Sequence, residues 1–138
     1  MEKSIREAFG LKQTDPVRVP SLSLAYVGDA VFALFVRTLL LERRNGPNGA
    51  LHSRALPYVS AVGQAKMAEG LQEMLTEEET AVFRRGRNAK PEHGAKNAST
   101  REYHLATGLE ALFGYLYLQD REERITELLK AGMPYAEQ

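Results

Sequence analysis

Residues Leu22–Leu41 read LSLAYVGDAVFALFVRTLLL, with only two charges, Asp29 and Arg37. A helix of that length runs about 30 Å, enough to cross a bilayer or to traverse a whole domain. A carboxylate inside a membrane span costs on the order of 3 kcal/mol, and Arg37 adds to it. The simpler expectation is a central helix of a helical domain, buried on most sides, with no membrane partner. Glu42-Arg43-Arg44-Asn45-Gly46-Pro47 closes the run with basic residues in the last turn and a proline beyond.

The rest of the chain also follows a helical period. Residues 1–20 read as a short amphipathic helix and a proline-bounded linker, too polar for a signal peptide. After a loop at Pro47–Gly49, a helix is expected from about Pro57 to Leu75. Thr76 and Glu79 have capping-box spacing and open a short helix through Ala81, Val82 and Phe83. That helix is expected to give way at Arg84 to a polar loop. Another helix starts near Ser99 and ends at Leu118, and an amphipathic one covers roughly Arg121–Lys130, closed by Gly132 and Pro134. No segment alternates as a strand for more than a few residues. The expectation is an all-α fold of about six helices, with residues 1–138 as one domain. The absence of cysteine excludes a disulfide framework, a cysteine zinc site and a thiol nucleophile, and a cytoplasmic location is expected. His52, His93 and His104 are scattered, and no nucleophilic serine motif is present.

Asp29 and Glu110 are each the lone acid in the most apolar helix of their half of the chain. A buried carboxylate needs a cation, a metal or a proton. Ala25, Gly28 and Ala33 lie near Asp29, and Thr107 and Gly114 near Glu110. Small residues on both helices would let the backbones approach and bring the two acids within reach of one ion. All-oxygen ligation points to Mg²⁺ or Mn²⁺ and to phosphoryl or phosphodiester chemistry. The alternative is structural pairing of each acid with an arginine or tyrosine.

The formal net charge is zero, but Arg84–Arg101 carries six basic residues (Arg84, Arg85, Arg87, Lys90, Lys96, Arg101) against Glu92 alone. With Asn88 and several turn formers, residues 84–100 read as a basic loop suited to phosphate backbones. A solvated loop whose arginines cap the preceding helix fits the composition equally well. The long apolar helices also suggest a symmetric partner covering the excess face.

Leu24-Ala25-Tyr26-Val27-Gly28-Asp29-Ala30-Val31 resembles the signature of the ribonuclease III family. Leu109-Glu110-Ala111-Leu112, followed by Gly114 and an apolar run, resembles that family's second acidic motif. Arg84-Arg85-Gly86-Arg87-Asn88-Ala89-Lys90 is similar to a segment of its Mini-ribonuclease III branch. The resemblance covers about Ser21 to Lys130. It implies an all-α, homodimeric catalytic domain that cuts double-stranded RNA with Mg²⁺, leaving 5′-phosphate and 3′-hydroxyl ends. Asp29 and Glu110 match the metal-binding catalytic acids, and Thr107 is assigned to orient a metal-bound water. Arg84, Arg85, Arg87, Asn88, Lys90 and Lys96 form the implied RNA-binding set. Only 28 residues follow Glu110, too few for a separate double-stranded-RNA-binding domain. The implied substrate is the terminal stem of the 23S ribosomal RNA precursor, with a ribosomal protein presenting the RNA as a candidate partner. Ala25, Thr107 and Asn48 stand where larger members of the family carry acids, which thins the acid cluster to Asp29 and Glu110. The alternative function is a catalytically weak RNA-binding ribosome-assembly factor with the same fold.

Overall fold

The computed structural model describes residues 1–89 and 100–138, and every regular element among them is helical. The helices are α1 (Glu2–Phe9), α2 (Ser21–Arg43), α3 (Asn48–Val59), α4 (Ala61–Leu71), α5 (Glu77–Asn88), α6 (Thr100–Tyr117) and α7 (Glu122–Ala136). Short 3₁₀ turns lie at Pro16–Arg18 and Gln72–Met74. The all-α expectation holds.

The central helix is α6, not α2. From Leu105 to Tyr117 every residue of α6 except Glu110 is buried, and the helix packs against α2, α4, α5 and α7. Its Gly108 and Gly114 and the facing glycines of α2 and α5 let those neighbours approach closely. Phe113 meets Phe32 of α2 with ring centroids 5.2 Å apart, both rings fully buried. Helix α2 is apolar enough for a membrane span, but only 39% of its most apolar 18-residue window is buried. Leu24, Gly28, Val31, Phe32, Val36 and Leu40 form its inner face. Leu22, Tyr26 and Leu34, spaced four and eight residues apart, lie on the opposite side and are exposed, Tyr26 at 82%. Such spacing places them along one stripe.

Four sequence boundaries move. The expected loop at Pro47–Gly49 is already the start of α3, and Pro57 lies inside the last turn of that helix, which ends at Val59, rather than opening the next. Ser60 caps α4 instead, accepting from the Gly63 amide at 3.1 Å. The last helix passes Gly132 and Pro134 to Ala136, because its inner face (Leu128, Leu129, Met133, Ala136) stays buried to the end. The helix opened by Thr76 runs to Asn88, so Arg84, Arg85, Arg87 and Asn88 are helical residues rather than a loop. Gly86, which separates the arginines, packs against Gly108 and Ala111 of α6 and holds this last turn in place. Lys90, Lys96 and the rest of the expected loop at 90–99 lie outside the described residues.

Candidate active site

Two glycines bring the acids together. A Cβ on Gly28 would overlap the Glu110 carbonyl, and one on Gly114 would overlap the Leu24 carbonyl. The backbones of α2 and α6 are therefore in contact, and only glycine permits it at these positions. Asp29 follows Gly28 directly, so its carboxylate reaches hydrogen-bonding distance of the Glu110 carboxylate. The small residues in the sequence anticipate this approach. The expectation that both acids are buried is not met: Asp29 is exposed and Glu110 is partly buried.

Burial, reinforced by the hydrogen bond and charge of Asp29, pushes the Glu110 carboxyl up to about 8. The Gln64 side chain acts in the opposite sense by favouring the ionised form. Among the described residues no Lys, Arg or His forms an ion pair with either acid. Without a cation, adjacent carboxylates share a proton, because like charges at close range cannot both ionise cheaply.

Gln64, on α4, is 3% exposed and was not singled out from the sequence. It lies against Glu110, yet its Nε2 has no hydrogen-bond partner of good geometry among the described residues. Its sequence signal is a lone amide on a helix face otherwise made of Gly63, Ala65, Met67 and Ala68, all buried. Two adjacent carboxylates with no cation beside them fit a hard divalent ion, whose coordination would be completed by water and phosphate oxygens, and the orphaned Gln64 N–H is a donor that such an oxygen would satisfy.

Thr107, one turn before Glu110, is 5% exposed, and its hydroxyl donates to the Tyr103 carbonyl at 2.9 Å. The hydroxyl proton is thus committed within α6, leaving the oxygen lone pairs as acceptors. Gly86 of α5 packs on the Thr107–Ala111 stretch that carries Glu110. The basic end of α5 therefore runs alongside the acid-bearing part of α6. Arg84, Arg85 and Asn88 are exposed and Arg87 is half-buried. Arg85 reaches back to the Val17 carbonyl at 3.5 Å. Arg87 bonds Asn88 Oδ1 at 3.3 Å and stands 6.0 Å from the centroid of the Phe83 ring. Arg101 is committed to Glu69 at 2.7 Å.

The ribonuclease III domain matches residues 22–121, a span holding both acids. A curated relative from Symbiobacterium thermophilum, Mini-ribonuclease 3, is 46% identical over 127 residues, covering 92% of this chain and 98% of the relative. The Mini-ribonuclease 3 of Brevibacillus brevis is 43% identical over 123 residues, covering 89% and 92%. The crystal structure of a Fusobacterium nucleatum protein superposes with a TM-score of 0.79 at 27% identity, covering 85% of this chain and 96% of that one. An all-α bundle whose central glycines press an acid-bearing pair of helices together, matched over this length, places the chain in the ribonuclease III family, in the branch formed by the Mini-ribonuclease 3 proteins.

Proposed function

We propose that this ribonuclease is a divalent-metal-dependent endonuclease that cuts double-stranded RNA as a homodimer and trims the terminal stem of the 23S ribosomal RNA precursor. The observation that carries the reading is the Asp29–Glu110 pair, two adjacent carboxylates with no protein cation beside them. Mg²⁺, with Mn²⁺ able to substitute, would be held by Asp29 and Glu110. When bound, such an ion lowers the pKa of a coordinated water and stabilises charge on the scissile phosphate and the leaving oxygen. Products with 5′-phosphate and 3′-hydroxyl ends follow from the leaving group being the 3′-oxygen.

The chain's own residues do the rest. Glu110, held protonated to about pH 8 in the metal-free chain, would release its proton to solvent and become an acceptor. Gln64 packs against Glu110 and fixes the direction its carboxylate faces. Thr107, with its proton on Tyr103, offers lone pairs that orient a water. Arg84, Arg85, Arg87 and Asn88 meet RNA phosphates from the end of α5, and Lys90 and Lys96 belong to the same basic stretch. A-form RNA is gripped through phosphates and 2′-hydroxyls across its shallow groove, which suits a row of arginines better than a base-reading pocket. The exposed stripe of Leu22, Tyr26 and Leu34 adjoins Asp29 and continues into an apolar groove of about 950 Å³ lined by Leu34, Phe35, Leu39, Leu129 and Met133. A symmetric copy would cover this face and offer one acid pair to each strand. The names of the relatives support a ribonuclease; the ribosomal RNA stem as substrate, its presentation by a ribosomal protein and a cytoplasmic location complete the proposal.

The test is cleavage of a synthetic RNA duplex with and without Mg²⁺. Cutting is expected only with Mg²⁺ or Mn²⁺. Equal cutting in excess EDTA overturns the metal mechanism, and single strands cut as fast as duplex overturn the substrate. Light scattering that returns a monomer mass for fully active protein at micromolar concentration overturns the dimer.

A further inference from the structure

Helix α1 is built the wrong way round for a helix held by apolar packing. Ile5, Phe9 and Leu11, its apolar residues and the one just beyond, are 48%, 75% and 59% exposed, while its one buried residue is Glu2, at 4%. Neither Glu2 carboxylate oxygen has a hydrogen-bond partner among the described residues. The nearest cation is the α-ammonium of Met1, which is largely exposed and stands 3.5 Å from Oε2 without hydrogen-bond geometry. Leaving a carboxylate desolvated and unbonded is costly.

The Glu2 side chain points at two further acids. Helix α6 ends in a Schellman turn: the Asp120 amide bonds the Tyr117 carbonyl at 3.0 Å and the Arg121 amide bonds the Leu116 carbonyl at 3.0 Å. Asp120 takes the left-handed position, with φ 58, and Glu122 opens α7. One carboxylate oxygen each from Glu2, Asp120 and Glu122 lies within 4.8 Å of the other two. Lys3, Arg6 and Glu7 line the same cleft, but among the described residues neither Lys3 nor Arg6 forms an ion pair with the three acids. Arg121 is turned away to Glu78 at 3.0 Å. Burial and the charges of Glu2 and Glu122 raise the neighbouring Tyr117 phenol, with Arg6 opposing. Asp120 lies ten residues beyond Glu110, about 15 Å along a helix, so this cluster is separate from the Asp29–Glu110 pair.

We propose that Glu2, Asp120 and Glu122 form a second, structural site for a hard divalent cation, which fastens α1 to the α6–α7 turn. Three carboxylates from three points of the backbone supply the oxygen-only, geometrically loose set that Ca²⁺ accepts, with water filling the remaining positions. The cation compensates the buried Glu2 charge and anchors a helix that has almost no apolar hold of its own.

The test uses the full chain with Mn²⁺ and Ca²⁺ alone as probes. In the NMR spectrum of the wild type, substoichiometric Mn²⁺ is expected to broaden amides of Glu2–Arg6 and Asp120–Glu122 as a set distinct from those around Asp29 and Glu110. Glu2→Gln and Asp120→Asn should each abolish the first set and leave the second. In an Asp29→Asn, Glu110→Gln background, saturating Ca²⁺ should raise the melting temperature by about 4 °C, and adding Asp120→Asn should cancel the rise. Asp120 is exposed, so that variant keeps the fold even if Glu2→Gln does not. Broadening confined to the Asp29–Glu110 region, or broadening at α1 that survives Asp120→Asn, overturns the site.

Discussion

At the start of α5, Glu79 is fully buried and fully bonded: Arg124 donates to both carboxylate oxygens at 2.8 Å, and the Thr76 amide donates at 2.9 Å to complete the capping box. On α6, Glu110 is only partly buried, yet faces a second carboxylate and an orphaned amide. Burial pushes the Glu79 carboxyl up, but the Arg124 and Thr76 hydrogen bonds outweigh it and hold the group below its usual range. Glu110 moves the other way, up to about 8. Desolvation acts on both, and the partners decide the sign. A carboxylate whose charge the fold has already balanced is structural. One whose charge is left open fits a site that takes its counter-charge from outside, and α5 is anchored by Glu79 at one end and packs through Gly86 on the Thr107–Ala111 stretch of α6 at the other.

The largest expected effect separates the two acids by activity. Asp29→Asn or Glu110→Gln removes charge that attracts the ion, and several kcal/mol of transition-state stabilisation go with it. Duplex cleavage should fall on the order of 10³-fold or more, while the melting temperature stays equal or rises. A destabilised but active Asp29→Asn variant would show the pair to be structural.

Glu79→Gln should do the reverse. It leaves the partly buried Arg124 guanidinium with only Glu127 and the Met74 carbonyl as partners, so the loss should be on the order of 3 kcal/mol, the low end for a broken buried pair. Denaturant melts should show the loss, and the fraction that remains folded should cleave at close to the wild-type rate. Unchanged stability would mean that the ion pair contributes nothing and the contrast with Glu110 fails.

pH should read the same contrast in the metal-free chain. Glu110 has a folded pKa raised above its unfolded value of 4.5, so its contribution is present below pH 4.5 and is lost as pH rises toward about 8. Glu79 is lowered, so its contribution is present above pH 4.5 and is lost as pH falls through its folded value. Melting in EDTA should therefore show a decline from pH 5 to 8 that Glu110→Gln flattens and Glu79→Gln leaves in place. A profile identical in the Glu110→Gln variant would remove Glu110 as its source.

The smallest effect belongs to the far end of α5. Replacing Arg84 and Arg87 with Ala should weaken duplex binding about equally across sequences, each lost phosphate contact lowering the salt slope of log K by somewhat under one unit. Stability should hold, because Arg84 is exposed and Arg87 only half-buried. An unchanged affinity and slope would leave the arginines as solvated groups.

Local chemistry was readable from the chain. The Thr76–Glu79 cap, the helical period and the glycines beside the two acids depend on residues a few positions apart, and their physics is complete within one or two turns. Partnership across the fold was not. Nothing near Glu79 in sequence points to Arg124, forty-five positions away, and nothing near Glu110 points to Gln64 on α4. Arg84–Asn88 reads as a loop because its composition is polar, and it is helical because Gly86 fits onto α6. Helix α2 reads as the centre of the domain because it is apolar all round, yet α6 takes the centre because its glycines admit neighbours on both sides. The sequence by itself determined an all-helical chain with two acids positioned to meet. Tertiary structure alone decided which carboxylates receive a counter-charge and which do not, because pairing and burial depend on through-space distances that only packing sets.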